Sequence, residues 1–430
     1  MAALAAMCAP SFAAEDEDAA KVTVGGRINM GGTAEMLGRE QSERSAGRVW
    51  VFQKQSRLTV SAKQGDTKFF SQLALGGEDV YTSNVNLTLL DMYAHGPLTK
   101  NINWHIGQFR NPYGRELMSE SGSLAFNSRS ITENPFKMGR DVGAMLEVNA
   151  GPAKVLGGVM VGGGRDVPER YIPEILGIPQ LTLRATIGDA DSDPWTLSQH
   201  DNLDTLDVKQ TLGVSALYTR DTLVGHGLVL TNKNTVDKNW LINPAYNPYL
   251  SKKDANGHAI QGELWQGGVD YAVRAPFGGG TLSGEAEVLA SGFHNVAGDL
   301  TLLGGRAQAQ WNMNPVELAL RYAVVVPDKN MAATSAATTG PTVGKTTAVF
   351  PDAKPIQEIT PALSYFVMGD KLKLTVDMPF YFDAPIVYEK GLGSYNLINQ
   401  PDQTSYITTA GNSIERQFVY QLRGSIQYAF

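Results

Sequence analysis

Along most of the chain, apolar and polar residues alternate with a period of two, in runs of about eight to ten residues. A period of two is the mark of a β-strand with two different faces. In the first run Val22, Val24, Ile28 and Met30 fall on one face, and Thr23, Arg27 and Asn29 on the other. Leu58, Val60 and Ala62 oppose Arg57, Thr59, Ser61 and Lys63. Ile102, Trp104 and Ile106 oppose Asn103 and His105. The pattern returns across 142–148, 265–274, 282–290, 303–311, 316–322 and 372–377. About 16 such segments can be counted, within two. No run reaches the ~18 apolar residues of a spanning helix, so a membrane role would have to be built from strands.

Two architectures use such ribbons. A soluble sandwich buries the apolar face against a second sheet. A transmembrane barrel turns it to lipid and lines a lumen with the polar face. Full charges near strand centres favour the barrel, as do Trp, Tyr and Phe at the ends of the apolar faces. Closure also removes the unpaired edges of so large a sheet. The expected fold is all-β: a closed antiparallel transmembrane β-barrel of about 16 strands with long extracellular or constriction loops. In the last run Phe418, Tyr420, Leu422, Ile426, Tyr428 and Phe430 alternate with Gln417, Gln421, Arg423, Ser425 and Gln427. A final strand closing on Phe430 resembles the assembly signal of bacterial outer-membrane barrels.

Composition narrows the picture. The 430 residues are 43% apolar, too apolar for a disordered chain. A net charge of −7 with no basic arm argues against nucleic-acid binding. One cysteine, Cys8, excludes a disulfide framework. It falls in an apolar leader, residues 1–13, which reads as a signal peptide cleaved after Ser11-Phe12-Ala13. With no charged start, it reads as a truncated one. Residues 14–430 then form a single transmembrane barrel domain, exported to the outer membrane of a Gram-negative cell. Gln64-Gly65-Asp66 and Met368-Gly369-Asp370 read as short turns. Longer insertions run from about Arg110 to Arg140, Arg165 to Lys209 and Asp328 to Lys354, with a further polar stretch from Asn232 to His258. Loops of that length are commonly functional.

Several stretches together resemble the phosphate-selective porin O and P family. They are Gly107-Gln108-Phe109-Arg110-Asn111-Pro112-Tyr113-Gly114-Arg115-Glu116, Gly139-Arg140-Asp141-Val142-Gly143, Glu317-Leu318-Ala319-Leu320-Arg321-Tyr322, and the closing Leu422 to Phe430. The resemblance implies a 16-stranded outer-membrane porin, often a homotrimer, passing small anions. It also implies a wall of Arg and Lys that conducts phosphate, from which this chain's net negative charge departs. Outer-membrane lipid and lipopolysaccharide would surround it, and no cofactor is implied.

Strand parity puts Arg27, Arg57, Lys63, Lys68, Lys154, Arg274, Arg306, Arg321, Lys371, Lys373 and Arg423 on the inward face. Glu147, Asp270, Glu285, Glu287, Glu317, Glu358 and Asp377 share it. The excess is positive, and such charge sets ion preference through its local potential. Cross-strand ion pairs are available among Glu285, Glu287 and Arg306. The insertion after residue 110 adds Arg110, Arg115, Arg129, Lys137 and Arg140 as constriction candidates, against Glu116, Glu120 and Glu133. Folded inward, it would make a weakly cationic narrow point.

Other motifs carry less. Gly340 to Thr346 has too few residues between its glycines for a phosphate-binding loop. Asp189, Asp191 and Asp193 alternate like calcium ligands without the glycine and glutamate of such a loop, and read mainly as a solvated acidic segment. The histidines lack zinc spacing, and no G-x-S-x-G or H-E-x-x-H occurs, so no enzyme chemistry is expected. The expected function is passive diffusion of small hydrophilic solutes, with a weak preference for oxyanions. The alternative is a barrel sheath around an electron-transfer partner.

Overall fold

The computed structural model describes residues 20–37, 47–77, 87–162, 178–191, 207–221, 262–331, 353–389, 394–397 and 413–430, with short pieces at 195, 197–199, 239–242, 247 and 249. The leader at 1–13, the stretch 340–346, Asp193 and most of 328–354 lie outside the described residues.

The alternating runs become strands β1 (Lys21–Leu37), β2 (Gly47–Gln64), β3 (Thr67–Gly77), β4 (Thr88–Thr99), β5 (Ile102–Arg110), β6 (Arg140–Ala150), β7 (Ala153–Met160), β8 (Ile178–Gly188) and β9 (Lys209–Asp221). They continue as β10 (Gly262–Phe277), β11 (Gly280–Asn295), β12 (Gly298–Asn312), β13 (Val316–Val326), β14 (Ile356–Asp370), β15 (Leu372–Asp377), β16 (Phe380–Glu389), β17 (Ser394–Leu397) and β18 (Ser413–Ala429). All belong to one antiparallel sheet. β15 and β16 each pair with β14 on one side and β18 on the other, so they are two halves of one stave. β17 pairs with the end of β16, from Ile386↔Leu397 to Glu389↔Ser394. The result is a closed barrel of 16 staves.

The seam joins the two ends of the chain. β1 pairs with β18 from Arg27↔Ala429 to Leu37↔Val419. Beyond that register Gly26 and Phe430 exchange both backbone hydrogen bonds at 3.0 Å. The Phe430 ring lies against Gly26, where a Cβ would come within 2.5 Å of it. Only glycine admits that approach.

Period two sorts the faces. Outward positions are apolar and exposed around the whole wall, with Val51 78%, Val288 65% and Leu422 52% accessible. Among the described residues no second sheet covers them, so the closed barrel and not the sandwich is the architecture, and the belt is suited to lipid. Among the described residues no helix is long and apolar enough to cross a membrane.

The two rims differ. Tight turns at 65–66, 100–101, 151–152 and 278–279 share one rim with the seam's chain ends. Gly65 (φ 55°) takes its turn conformation with open space around it, so the positive φ alone calls for glycine. The long connections occupy the other rim, except the one after β8, together with the two-residue turn between β11 and β12. The insertion expected as one loop from Arg165 to Lys209 is interrupted by β8, whose Leu181, Leu183 and Ile187 point outward while Thr182 and Arg184 point inward. Its second half therefore emerges at the turn rim. The stretch 232–258, expected to be polar, contributes Trp240, Leu241 and Ile242 to a buried apolar cluster inside the barrel. Inward Leu264, Leu289, Phe293, Leu302 and Val325 belong to the same core, so β10–β13 have an apolar inner face toward the loop rim.

Candidate functional site

Residues 111–139 leave β5, cross the lumen and return to β6, with two single-turn helices, α1 (Arg115–Met118) and α2 (Glu133–Phe136). The crossing is tied to distant parts of the wall. Tyr113 donates to Gly267 O on β10 at 3.1 Å. Asn127 N donates to Asp377 Oδ2 on β15 at 2.8 Å, and its side chain to Arg423 O on β18 at 3.2 Å. Ile131 N donates to Glu358 Oε2 on β14 at 2.8 Å.

One part of the wall is built to receive this loop. Asp270 on β10 and Glu287 on β11 stand directly opposite in register, with Glu285 one inward position along. Facing like charges are destabilising on their own. The loop supplies the compensation. Arg115 is fully buried and reaches Glu285 at 3.1 Å and Asp270 at 3.8 Å. The N–H groups of Arg115 and Glu116 both donate to Glu287, the second at 3.2 Å. Gly114 makes the approach possible: its φ is 71°, and a Cβ there would sit 3.0 Å from Glu287 Oε1.

The connection after β8 enters the lumen from the opposite rim. Asp191 accepts two hydrogen bonds from Arg115, at 2.8 and 2.7 Å. It is thus a buried ion partner and not the solvated acid expected from sequence. Leu197 forms a parallel bridge with Ser119, and its carbonyl accepts from Glu120 N at 2.9 Å. Gln199 accepts from Ala125 N at 3.0 Å. Trp195 donates to Glu147 at 2.8 Å and packs on His105, ring centres 4.1 Å apart. Burial raises the Asp191 pKa, but the hydrogen bond and charge of Arg115 outweigh it and hold the carboxyl below its ordinary value. Burial alone would lower the Arg115 pKa; Glu285 and Asp191 hold it above normal.

The cationic candidates divide by position. Arg306 bonds Glu287 at 3.0 Å and Glu285 at 3.1 Å, the cross-strand pairing available from sequence. Arg321 bonds Glu358 at 3.0 and 2.5 Å, reaches Glu116 at 3.5 Å and lies 4.3 Å above the Phe126 ring. Arg423 pairs twice with Asp377 at 2.7 Å. Arg274 lies 3.9 Å from Asp191 and donates to Ser198 O. Of the loop set, Arg129 and Lys137 share Glu133, Arg140 pairs with Asp91 at 2.8 Å, and Arg110 donates to the Met118 and Ser119 carbonyls. The cations of the loop set are therefore met by carboxylates of three origins: Glu133 in the loop itself, Asp191 in the connection after β8, and Asp91, Asp270 and Glu285 on the wall. Lys63 and Lys371 are exposed at the turn rim, outside the buried wall. Parity continues to a strand's last residue, but side chains at the turns reach bulk water. Lys68 is likewise exposed, and Lys154 is half-buried near its turn.

Sequence reasoning missed Lys54, Arg184, Asp91 and the pairing role of Asp191. Arg184 is buried, bonding Asp270 at 2.7 and 2.9 Å and Ser215 at 2.7 Å. Its signal was the alternation from Leu181 to Ile187. Among the described residues the buried charged side chains number ten Lys or Arg and eleven Asp or Glu, so the buried interior carries no positive excess.

Positive charge does gather in one place. Between the crossing loop and the wall lies a cavity of about 360 Å³, lined by Arg27, Arg57, Lys373, Glu120, Ser123, Phe70 and Phe366 among others. Arg27 and Arg57 donate to the same Ser121 Oγ, at 2.9 and 3.0 Å. Lys373 donates to Gly122 O and Leu124 O at 3.3 and 2.8 Å. Arg27 lies flush on the loop backbone: a Cβ on Gly122 would meet its Nη1 at 1.6 Å.

A closed 16-stave sheet with an apolar outer belt and a polar, loop-crossed interior defines an integral outer-membrane β-barrel. Solved structures share this architecture. An anion-selective porin from Comamonas acidovorans is similar with a TM-score of 0.54 and 13% identity, over 96% of this chain and 100% of that one. The outer membrane channel DcaP of Acinetobacter baumannii has a TM-score of 0.50 and 11% identity, over 97% and 99%. A loop L8 deletion mutant of OmpT, an outer membrane protein of Vibrio cholerae, has a TM-score of 0.50 and 8% identity, over 96% and 100%. At these identities the likeness establishes the fold. No family model and no curated protein matches the sequence.

Proposed function

We propose that the barrel is a porin: a passive diffusion channel for small hydrophilic solutes with a weak preference for anions. The observation that carries the anion preference is the cavity beneath the crossing loop, where three cationic side chains face one carboxylate. Elsewhere most buried cations are paired with carboxylates, so the potential felt by a passing ion is set where charge meets water. Arg suits oxyanions because its planar donors pair with two oxygens. Kinship with the phosphate-selective family belongs to the same proposal. It is supported by the Gly107–Glu116 and Gly139–Gly143 stretches, which bracket the crossing loop, and by the closing strand. Assembly as a homotrimer in lipopolysaccharide-containing membrane is also part of it, tested by cross-linking in native membranes.

The sheath alternative loses support, because residues 111–139 occupy the space a threaded partner would need. The deciding experiment is the zero-current potential of the purified barrel in a planar bilayer under a potassium chloride gradient. Chloride preference is expected; a clear potassium preference refutes the anion reading.

A further inference from the structure

The cavity that holds Arg27, Arg57 and Lys373 has a second property that a simple anion path does not need. Two phenyl rings, Phe70 and Phe366, line it together with the cations. Both stand at inward strand positions. Phe70 shares the face of Gln72, and Phe366 that of Ser364, whereas the lipid-facing neighbours Leu73 and Tyr365 point out. In a polar lumen an inward ring gains nothing from lipid. The volume of about 360 Å³ falls within the range of small-molecule sites and is far larger than an inorganic ion requires.

Apolar walls with a few convergent charges are the usual composition of a site for an amphipathic ligand. Here the charges are positive and concentrated. Ser121 draws two guanidinium groups to one oxygen, and Lys373 is anchored to the same loop by two carbonyls. Glu120 is the one carboxylate on the lining among the described residues. Resting on the anion-channel reading, we infer that this cavity is a binding subsite for small organic anions with an aromatic body, such as arenecarboxylates. The carboxylate meets the guanidinium groups, and the ring packs against Phe70 and Phe366. Edge or offset contacts between rings add to the area buried.

The test uses purified wild-type barrel in planar bilayers, with sodium benzoate, sodium acetate and sodium phosphate added in turn to a chloride background. Benzoate is expected to reduce the open-channel current at a concentration about tenfold below acetate, because only benzoate carries a ring. It should also act below phosphate. Phe70→Ala should bring benzoate down to acetate and leave acetate unchanged, whereas Arg57→Gln should weaken both. Equal action of benzoate and acetate in a chloride-selective channel overturns the inference and leaves the channel reading standing. Stronger action by phosphate overturns it in favour of an inorganic oxyanion. Benzoate action unchanged in both variants places the site elsewhere and overturns it too. A potassium-selective channel removes the reading itself. Should the variants fail to fold, the comparison on wild-type protein decides alone.

Discussion

Arg115 is the residue at which the two lumen segments meet, and its removal tests whether buried charge holds them there. Arg115→Ala deletes two hydrogen bonds to Asp191 and the contacts with Glu285 and Asp270. Breaking a buried ion pair typically costs about 3–5 kcal/mol, because the partner keeps an uncompensated charge. The structure points to the low end. Asp270 keeps Arg184 at 2.7 Å, and Glu285 keeps Arg306 at 3.1 Å. Asp191 is left facing Arg274 at 3.9 Å. About 3 kcal/mol is roughly a hundredfold in the fraction of molecules with the loop released, at ~1.4 kcal/mol per tenfold. The barrel wall should survive, since its ladders do not pass through Arg115. The assay is thiol labelling of Ser119→Cys in a Cys8→Ser background, Ser119 being fully buried. Labelling should speed up about a hundredfold in Arg115→Ala, with heat-modifiable migration on gels retained. Asp191→Asn should act less, because Arg115 keeps Glu285. Unchanged labelling in a folded Arg115→Ala barrel refutes the claim that this cluster holds the loop.

Two further outcomes follow from particular contacts. The Asp191 carboxyl is held below its ordinary value near 4, so its ionic tie stabilises the native state above that pH and is lost only as pH falls through the lower, native value. Open-channel noise should therefore stay flat from about pH 8 to pH 5, rise below about pH 4, and lose that rise in Asp191→Asn; a rise that persists in Asp191→Asn contradicts the assignment. Deleting Phe430 removes two backbone hydrogen bonds at the seam and the ring over Gly26. At about 1 kcal/mol per hydrogen bond, the unfolding midpoint in urea should fall, and an unchanged midpoint contradicts the closure described.

The wall was legible because lipid on one side and water or polar protein on the other impose period two on nearly every stave. Arg27, Arg57, Arg306, Arg321, Lys373 and Arg423 were placed on the inward face by parity alone, and the structure puts them there. What parity could not show is the company each keeps. Arg115 and Asp191 are 76 residues apart and come from opposite rims, and nothing local links them. β8 was hidden because its alternation is short and lies within Asp- and Pro-rich sequence, although Leu181, Leu183 and Ile187 carry it. The apolar inner face of β10–β13 was missed for a different reason. Its inward Leu289, Leu302 and Val325 interrupt the polar positions only toward the loop rim, where loop residues cover them.

These placements explain why buried charge and surface charge do different work here. Among the described residues ten basic and eleven acidic residues are buried; many pair strand to strand within the wall, and Arg115 and Glu116 join the crossing loop to it. A paired, dehydrated charge has little field left for a passing ion, and its removal costs anchoring. The loop pairs of Arg115 and Glu116 fall on β10–β13, and the apolar cluster of Phe136, Trp240 and Phe293 packs the loop on the same strands. Both attachments lie away from β1 and β2. Arg27 and Arg57, on those two strands, instead contact the loop through the neutral Ser121 hydroxyl at the edge of the cavity. Ion preference and loop anchoring should therefore separate in mutants. Substitutions at Arg27 or Arg57 should shift the zero-current potential with little effect on Ser119→Cys labelling, and substitutions at Arg115 should do the reverse. A potential that moved equally in both sets would mean that the paired charges, and not the cavity, govern which ions pass.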